Sequence, residues 1–236
     1  MLTSLSPARF CLLSLVAASV FASPQARAQK DQAPILLSTA GNSWADLGEL
    51  QKDAKAGKPP ALAALGEMMV NGEDVPRDIP GGLDMLARAS AAGESNASFR
   101  LGKIYEEGKV VPADPQKALE YYRRAALAGV AEAAYNLGAM YVSARGVSRD
   151  YKEGLAWIIV ATKHGAEADG EQRVRERLTA THRGDIIPAA EVRANELEVE
   201  VTRAMHNTAM TGKPAETKPR TDLPSAITGK PEETKK

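Results

Sequence analysis

The chain has 236 residues, with 30 lysines and arginines balanced by 30 aspartates and glutamates, so it offers no electrostatic footprint for nucleic acid. Its one cysteine, Cys11, lies in an amino-terminal apolar run, which excludes a disulfide framework, a thiol nucleophile and a thiolate metal site from everything downstream. Aromatics are only 5% of the residues and alanine is abundant, a composition suited to short helices in close contact.

In chain order, residues 1–28 read as a secretory signal. Arg9 supplies the positive charge, Phe10 to Ala22 the apolar run, and Ala26-Arg27-Ala28 the small-x-small cleavage site, predicting a mature protein that begins at Gln29. The run is shorter than the ~18 apolar residues a spanning helix needs, and no other stretch approaches that length. The expected location is therefore the periplasm or the medium, with no membrane insertion after cleavage. Cys11 stands at the front of the run rather than its end, which does not suit a lipid anchor. In the segment 29–59, Trp44, Leu47, Leu50 and Ala54 form a helical stripe that stops at Gly57, predicting a capping helix.

Three segments then align without gaps at a step of 36 residues: 60–93, 96–129 and 132–165. Leu-Gly recurs at Leu65-Gly66, Leu101-Gly102 and Leu137-Gly138. In the same register stand Met69, Tyr105 and Tyr141, then Val75, Val111 and Val147, then Asp78, Asp114 and Asp150, and finally Gly93, Gly129 and Gly165. In the middle unit Ala97, Leu101, Ile104 and Tyr105 share one helical face. Gly102 costs roughly 1 kcal/mol of helix propensity, so its recurrence predicts a close helix contact that a Cβ would block. Gly108 suits a left-handed helix end, and Asp114 with Pro115 suits the start of a second helix burying Ala118, Leu119, Tyr122, Ala125 and Ala126. A helical hairpin of this kind cannot bury its apolar faces alone, so neighbours must stack.

The run Ala97-x-x-x-Leu101-Gly102-x-x-Tyr105-x-x-Gly108, followed by Val111, Asp114, Lys117-Ala118, Tyr121-Tyr122-x-x-Ala125-Ala126 and Gly129, resembles the Sel1-like repeat, a relative of the tetratricopeptide repeat with a slightly longer unit. The resemblance spans about Pro60 to Gly165. It implies an all-α fold, a short right-handed α-solenoid of helix-turn-helix repeats. The third unit departs from the pattern at Ala144, where a glycine is expected. The first departs more, with Gly81-Gly82 in place of lysine-alanine and Met85-Leu86 in place of aromatics; two glycines there predict a unit prone to fray.

Beyond Gly165, residues 166–210 read as carboxy-terminal capping helices. Glu171 to Thr181 is arginine-rich, and a second helix opens at Pro188 with Ala190, Ala194, Leu197, Val201, Ala204 and Met205 on one face. Ile159 and Val160 replace Arg123 and Arg124 of the middle unit, and the helix at Glu171 to Thr181 is expected to cover them. Residues 211–236 read as a disordered tail, with Thr211-Gly212-Lys213-Pro214 nearly duplicated at Thr228-Gly229-Lys230-Pro231.

The sequence assigns no catalytic, cofactor or metal residues. It has no nucleophile elbow, phosphate loop or dinucleotide fingerprint. His164, His182 and His206 lack paired ligand spacing. Glu106-Glu107 and Glu196/Glu198/Glu200 read as exposed helix faces, and Arg183-Gly184-Asp185 as a chance tripeptide in a turn. In related solenoids the first helices of successive units line a concave groove that grips a partner. Carried over through the register, the resemblance implies that Asn96, Phe99, Lys103 and Glu106, with Glu132, Tyr135, Ala139 and Val142, face such a groove. Ala63, Glu67 and Val70 are the equivalents in the first unit. Phe99 and Tyr135, one repeat apart, form a candidate aromatic track. The expected function is a non-enzymatic adaptor that binds another protein or peptide. An envelope enzyme and a structural spacer are the alternatives.

Overall fold

The computed structural model describes residue 44 and residues 46–211; the predicted signal lies outside these, as does the predicted tail except for Thr211, which is helical. The described residues contain nine helices and no strand. They are α1 (Leu47–Lys55), α2 (Pro59–Asn71), α3 (Ile79–Ala91), α4 (Ser95–Glu107), α5 (Pro115–Leu127), α6 (Ala131–Ser143), α7 (Tyr151–Lys163), α8 (Asp169–Ala180) and α9 (Ile186–Thr211). Helices α2 to α7 form three hairpins that stack into an α-solenoid, with α1 before them and α8 and α9 after.

The repeated residues set the helix ends by the same contacts each time. The carboxylates of Asp78, Asp114 and Asp150 accept from the backbone N–H three residues on, at 3.0, 3.1 and 2.9 Å, capping the second helix of each hairpin. The backbone N–H of each of these aspartates donates to the carbonyl of Met69, Tyr105 or Tyr141, which pins the loop to the first helix. The first helices end on left-handed residues: Gly72, Gly108 and Ala144, at φ 76°, 67° and 59°. Ala144 stands where the repeat calls for glycine and adopts the glycine conformation regardless.

The Leu-Gly glycines lie where the two helices of a hairpin touch. A Cβ on Gly66 would lie 2.8 Å from the Gly82 carbonyl oxygen, and one on Gly138 would lie 2.6 Å from that of Gly154. In the middle hairpin a Cβ on Gly102 would lie 2.6 Å from the Tyr122 ring. Gly82, read from sequence as a weakness, is buried against Val70 and the Gly66 carbonyl. It marks a tight crossing rather than a defect.

The carboxy-terminal cap differs from expectation. Helix α7 is buried along nearly its whole length, Ile159 and Val160 included. Its main neighbour outside the hairpin is α9, and α8 contributes little. Helix α9 starts at Ile186, two residues before Pro188, and buries Ala190, Ala194, Leu197, Val201 and Ala204 as the period predicted; Met205 is exposed. It also runs on to α5. With 26 residues it is about 39 Å long, against about 18 Å for the twelve residues of α8, so it can span two second-type helices.

Two substitutions test the role of backbone geometry. Gly138→Ala is expected to lose about 2 kcal/mol in chemical denaturation, because the clash is with backbone and outweighs the gain in helix propensity. Ala144→Gly, at an exposed left-handed position, is expected to gain about 1 kcal/mol and raise the thermal midpoint by about 3 °C.

Candidate protein-binding surface

The surface implied by the repeat register is built on the first helices, α2, α4 and α6. Its four positions per helix have different surroundings. Asn96 is half-buried, and its backbone N–H donates to the Glu94 carboxylate at the helix start, at 3.4 Å. Glu132, its equivalent in α6, is exposed. At the next position Ala63 is buried, whereas Phe99 and Tyr135 are half-buried. Phe99 packs on Tyr122 of its own hairpin, with ring centroids 6.0 Å apart and planes tilted by 45°. Tyr135 is overlaid by the first turn of α8, since a Cβ on Gly170 would collide with its ring. Both aromatics thus have intramolecular partners, and the track is not an open pair of rings.

The third position carries Glu67, Lys103 and Ala139. The Lys103 ammonium stands 6.0 Å from the Phe99 ring centroid. Glu67 pairs with Arg100 of the neighbouring first helix at 2.7 Å. Burial raises the Glu67 carboxyl above the usual carboxylate range, and the Arg100 charge opposes that shift.

The fourth position carries Val70, Glu106 and Val142, and it faces the second helix of its own hairpin rather than outward. Val70 is buried on Gly82, and the Val142 side chain lies against Gly154. Glu106 accepts from the Tyr122 hydroxyl at 2.6 Å and pairs with Arg145 at the end of α6 at 2.6 Å. Burial and this bond to a carboxylate together push the Tyr122 phenol well above its ordinary range, so it stays a neutral donor.

The sequence reading missed two ion pairs between neighbouring hairpins, Glu67–Arg100 between α2 and α4 and Glu106–Arg145 between α4 and the loop that follows α6. Their partners are 33 and 39 residues apart, on either side of one repeat, so only the offset between neighbouring helices brings them together. The acidic runs are likewise paired rather than bare. Glu107 meets Lys109 at 3.1 Å, Glu198 meets His164 at 3.0 Å, and Glu196 and Glu200 meet Arg193 at 3.0 and 3.1 Å. His164 caps the end of α7, while His182 and His206 are exposed. Arg183 of the Arg-Gly-Asp tripeptide lies 5.4 Å from the centroid of Tyr151, a ring that Arg149 also covers.

The deepest charged side chain is Glu153, 1% exposed at the start of α7. It accepts from the Trp157 indole N–H at 3.1 Å and from the Arg193 guanidinium of α9 at 3.0 Å. Burial works against the charge on Arg193, but Glu153, Glu196 and Glu200 together outweigh it and raise the guanidinium above its ordinary value.

The family model for the Sel1 repeat matches residues 59–94, 95–130 and 131–165, so each matched segment holds one hairpin. Residues 59–165 thus match three consecutive Sel1 repeats. The crystal structure of a Sel1 repeat protein from Oxalobacter formigenes is similar over 56% of this chain and 98% of its own, at 29% identity and a TM-score of 0.51. A protective antigen present in uropathogenic Escherichia coli strains and displaying an SLR fold is similar over 71% of this chain, at 27% identity and a TM-score of 0.53. The chain spans 37% of that antigen. Among curated proteins nothing matches. Sel1 repeats generally mediate protein–protein interactions. No helix among the described residues is long and apolar enough to cross a membrane.

Arg193→Ala removes the cation that faces a buried carboxylate, a class of change that costs about 3 kcal/mol or more. The expected result in hydrogen exchange is loss of protection across α9 and the face of α7 beneath it, while α2 to α4 keep theirs.

Proposed function

We propose that this protein is an exported, non-catalytic scaffold of the bacterial envelope that holds a partner protein or peptide along the first helices of its Sel1 repeats. The observation that carries the reading is the pairing of neighbouring hairpins along this surface, by Glu67–Arg100 between α2 and α4 and by Glu106 of α4 with Arg145 just beyond α6. Stacked in this way, α4 and α6 present Asn96, Lys103 and Glu132 at the repeat spacing. A surface whose spacing is set in advance loses little conformational entropy when a partner docks. The aromatics beneath, Phe99 and Tyr135, act from half-buried positions: they shape the floor, and the polar residues around them select the partner. Export is supported by Arg9, the apolar run Phe10 to Ala22 and the Ala26-x-Ala28 site.

The variant Lys103→Glu/Glu132→Lys reverses the charges of the surface and gives up only the Lys103–Phe99 contact inside the molecule. Used as bait in an envelope extract beside the wild type, it is expected to lose a partner that the wild type retains. Titration with that partner is expected to show about ten-fold weaker binding or more, with a thermal midpoint lowered by no more than a few degrees. Equal retention by both baits would remove the first helices from the binding site.

A further inference from the structure

Among the described residues, the exposed large apolar side chains are Val192, Val199, Met205 and Met210, and all four stand on α9. Met205 lies over Gly129 at the end of the middle repeat. The other three belong to a second seam on this helix. The first seam, Ala190, Ala194, Leu197, Val201 and Ala204, is buried where α9 meets α7 and α5. The second is Ala189, Val192, Glu196, Val199, Arg203, His206 and Met210, and every one of these residues is exposed. Successive residues of a helix turn by about 100°, so Val192 stands about 200° from Ala190, on the outer side.

A helix that only closes the end of a solenoid needs the buried seam and has no use for the outer one. The outer seam advances by alternating steps of three and four residues over three heptads, which is the pattern of a coiled-coil contact. Exposed apolar residues gathered on one element mark an interaction surface.

The polar members of the seam decide what it fits. A parallel copy in register would set Glu196 on Glu196 and Arg203 on Arg203, and like charges in contact are unfavourable. An antiparallel copy sets the two kinds of seam position against each other. One such alignment engages all six residues from Val192 to Met210. It places Val192 against Met210 of the second copy, Glu196 against His206, and Val199 against Arg203, each twice about a two-fold axis level with Val201. Apolar layers close both ends, an imidazole meets a carboxylate in the next layers, and the Arg203 stem lies on Val199 near the axis. Arg203 and His206 have no ion-pair partner among the described residues. Glu196 holds Arg193 with Oε2, which leaves Oε1 for a second donor.

We propose that α9 pairs antiparallel with α9 of a second copy of this chain, giving an isologous dimer. The seam is about 27 Å long. Polar layers within it fix the register and weaken the contact, so the dissociation constant is expected on the order of 10 μM. The dimer does not rest on the partner-binding reading, because α9 shares no residue with the surface of α4 and α6.

Sedimentation of the full chain from about 1 to 300 μM is expected to show the mass rising from one chain to two. Val199 is 56% exposed, so Val199→Lys leaves the core of the single chain intact. In the dimer it brings four cations to the axis, and the expected result is at least ten-fold weaker association. His206→Glu sets two carboxylates together in each of two layers and is also expected to weaken association about ten-fold or more. The exchange Glu196→Lys/His206→Glu restores opposite charges and is expected to bring the constant back to within about three-fold of the native value. A single-chain mass at every concentration would overturn the proposal. So would a dimer that survives Val199→Lys, which would place the contact on another face, or a charge exchange that recovers nothing, which would rule out the antiparallel alignment.

Discussion

Everything in this fold depends on two helix backbones meeting closer than a Cβ permits. In the first and third hairpins the meeting is glycine on glycine, Gly66 with Gly82 and Gly138 with Gly154, each facing the other's carbonyl. In the middle hairpin Ala118 takes the place of the second glycine, and the Tyr122 ring lies on Gly102 instead. The register of the next inward side chain shows how the two solutions relate: Leu86, Tyr122 and Ile158 occupy one repeat position. Where that residue is aliphatic the backbones themselves close up, and where it is aromatic its flat face fills the space. Either way the helices are short, 13 residues each, and such a length is marginal without tertiary contact. Close approach lets small side chains such as Ala61, Ala89, Ala97, Ala125 and Ala133 count as core, all at 1% exposure or less.

Stacking transmits that geometry along the chain, and the ends show what happens when it stops. At the carboxy-terminal end α8 begins 38 residues after the start of α6, two residues past the register of a fourth first helix, and the chain does not continue the array. Helix α9 instead lies on α7 and reaches α5. It carries Arg193 to the buried Glu153 carboxylate, and Arg123 of α5 meets its Glu200 at 4.0 Å. A buried ion pair is weak evidence for stability. Its use here is positional, because an arginine facing Glu153 fixes which turn of α9 meets the start of α7. The apolar character of Ile159 and Val160 then follows, since the arginines of the middle hairpin would have no solvent to enter beneath that helix.

How much of this is legible in the sequence depends on whether a feature repeats. Helix boundaries, cap aspartates, left-handed glycines and the close-contact role of Gly102 each occur three times at one spacing, and the physics of a single residue predicts them. The aspartate caps show this most directly, since a side-chain acceptor three residues before a free N–H is a local contact. Features that occur once are the ones the sequence hid. Nothing local distinguishes α8 from α9 as the cover for α7, because both are amphipathic; length and the Glu153–Arg193 pairing, 40 residues apart, decide it. The fourth first-helix position was assigned outward by analogy, whereas the glycine-driven closeness of the hairpin turns Val70, Glu106 and Val142 toward the second helix. The Glu67–Arg100 pair was invisible for a related reason. Its partners face each other only after two helices have stacked with a definite offset.

The same division between repeated and single features bears on function. Residues fixed by the repeat are consumed by folding: the glycines, alanines and cap aspartates have intramolecular partners in every unit and no freedom to specify a ligand. What distinguishes this chain is carried by positions that differ from unit to unit on a common frame, such as Pro60, Asn96 and Glu132, or Glu67, Lys103 and Ala139. Because the frame holds each series at a regular spacing, a change at one of these positions alters the chemistry of the surface without altering its shape. The lateral ion pairs strengthen that separation, as they spend charges on alignment and leave Lys103 and Glu132 without a carboxylate or cation of their own among the described residues. A surface organised this way reads its partner by position along a row of helices, and its selectivity resides in the few side chains that the repeat does not dictate.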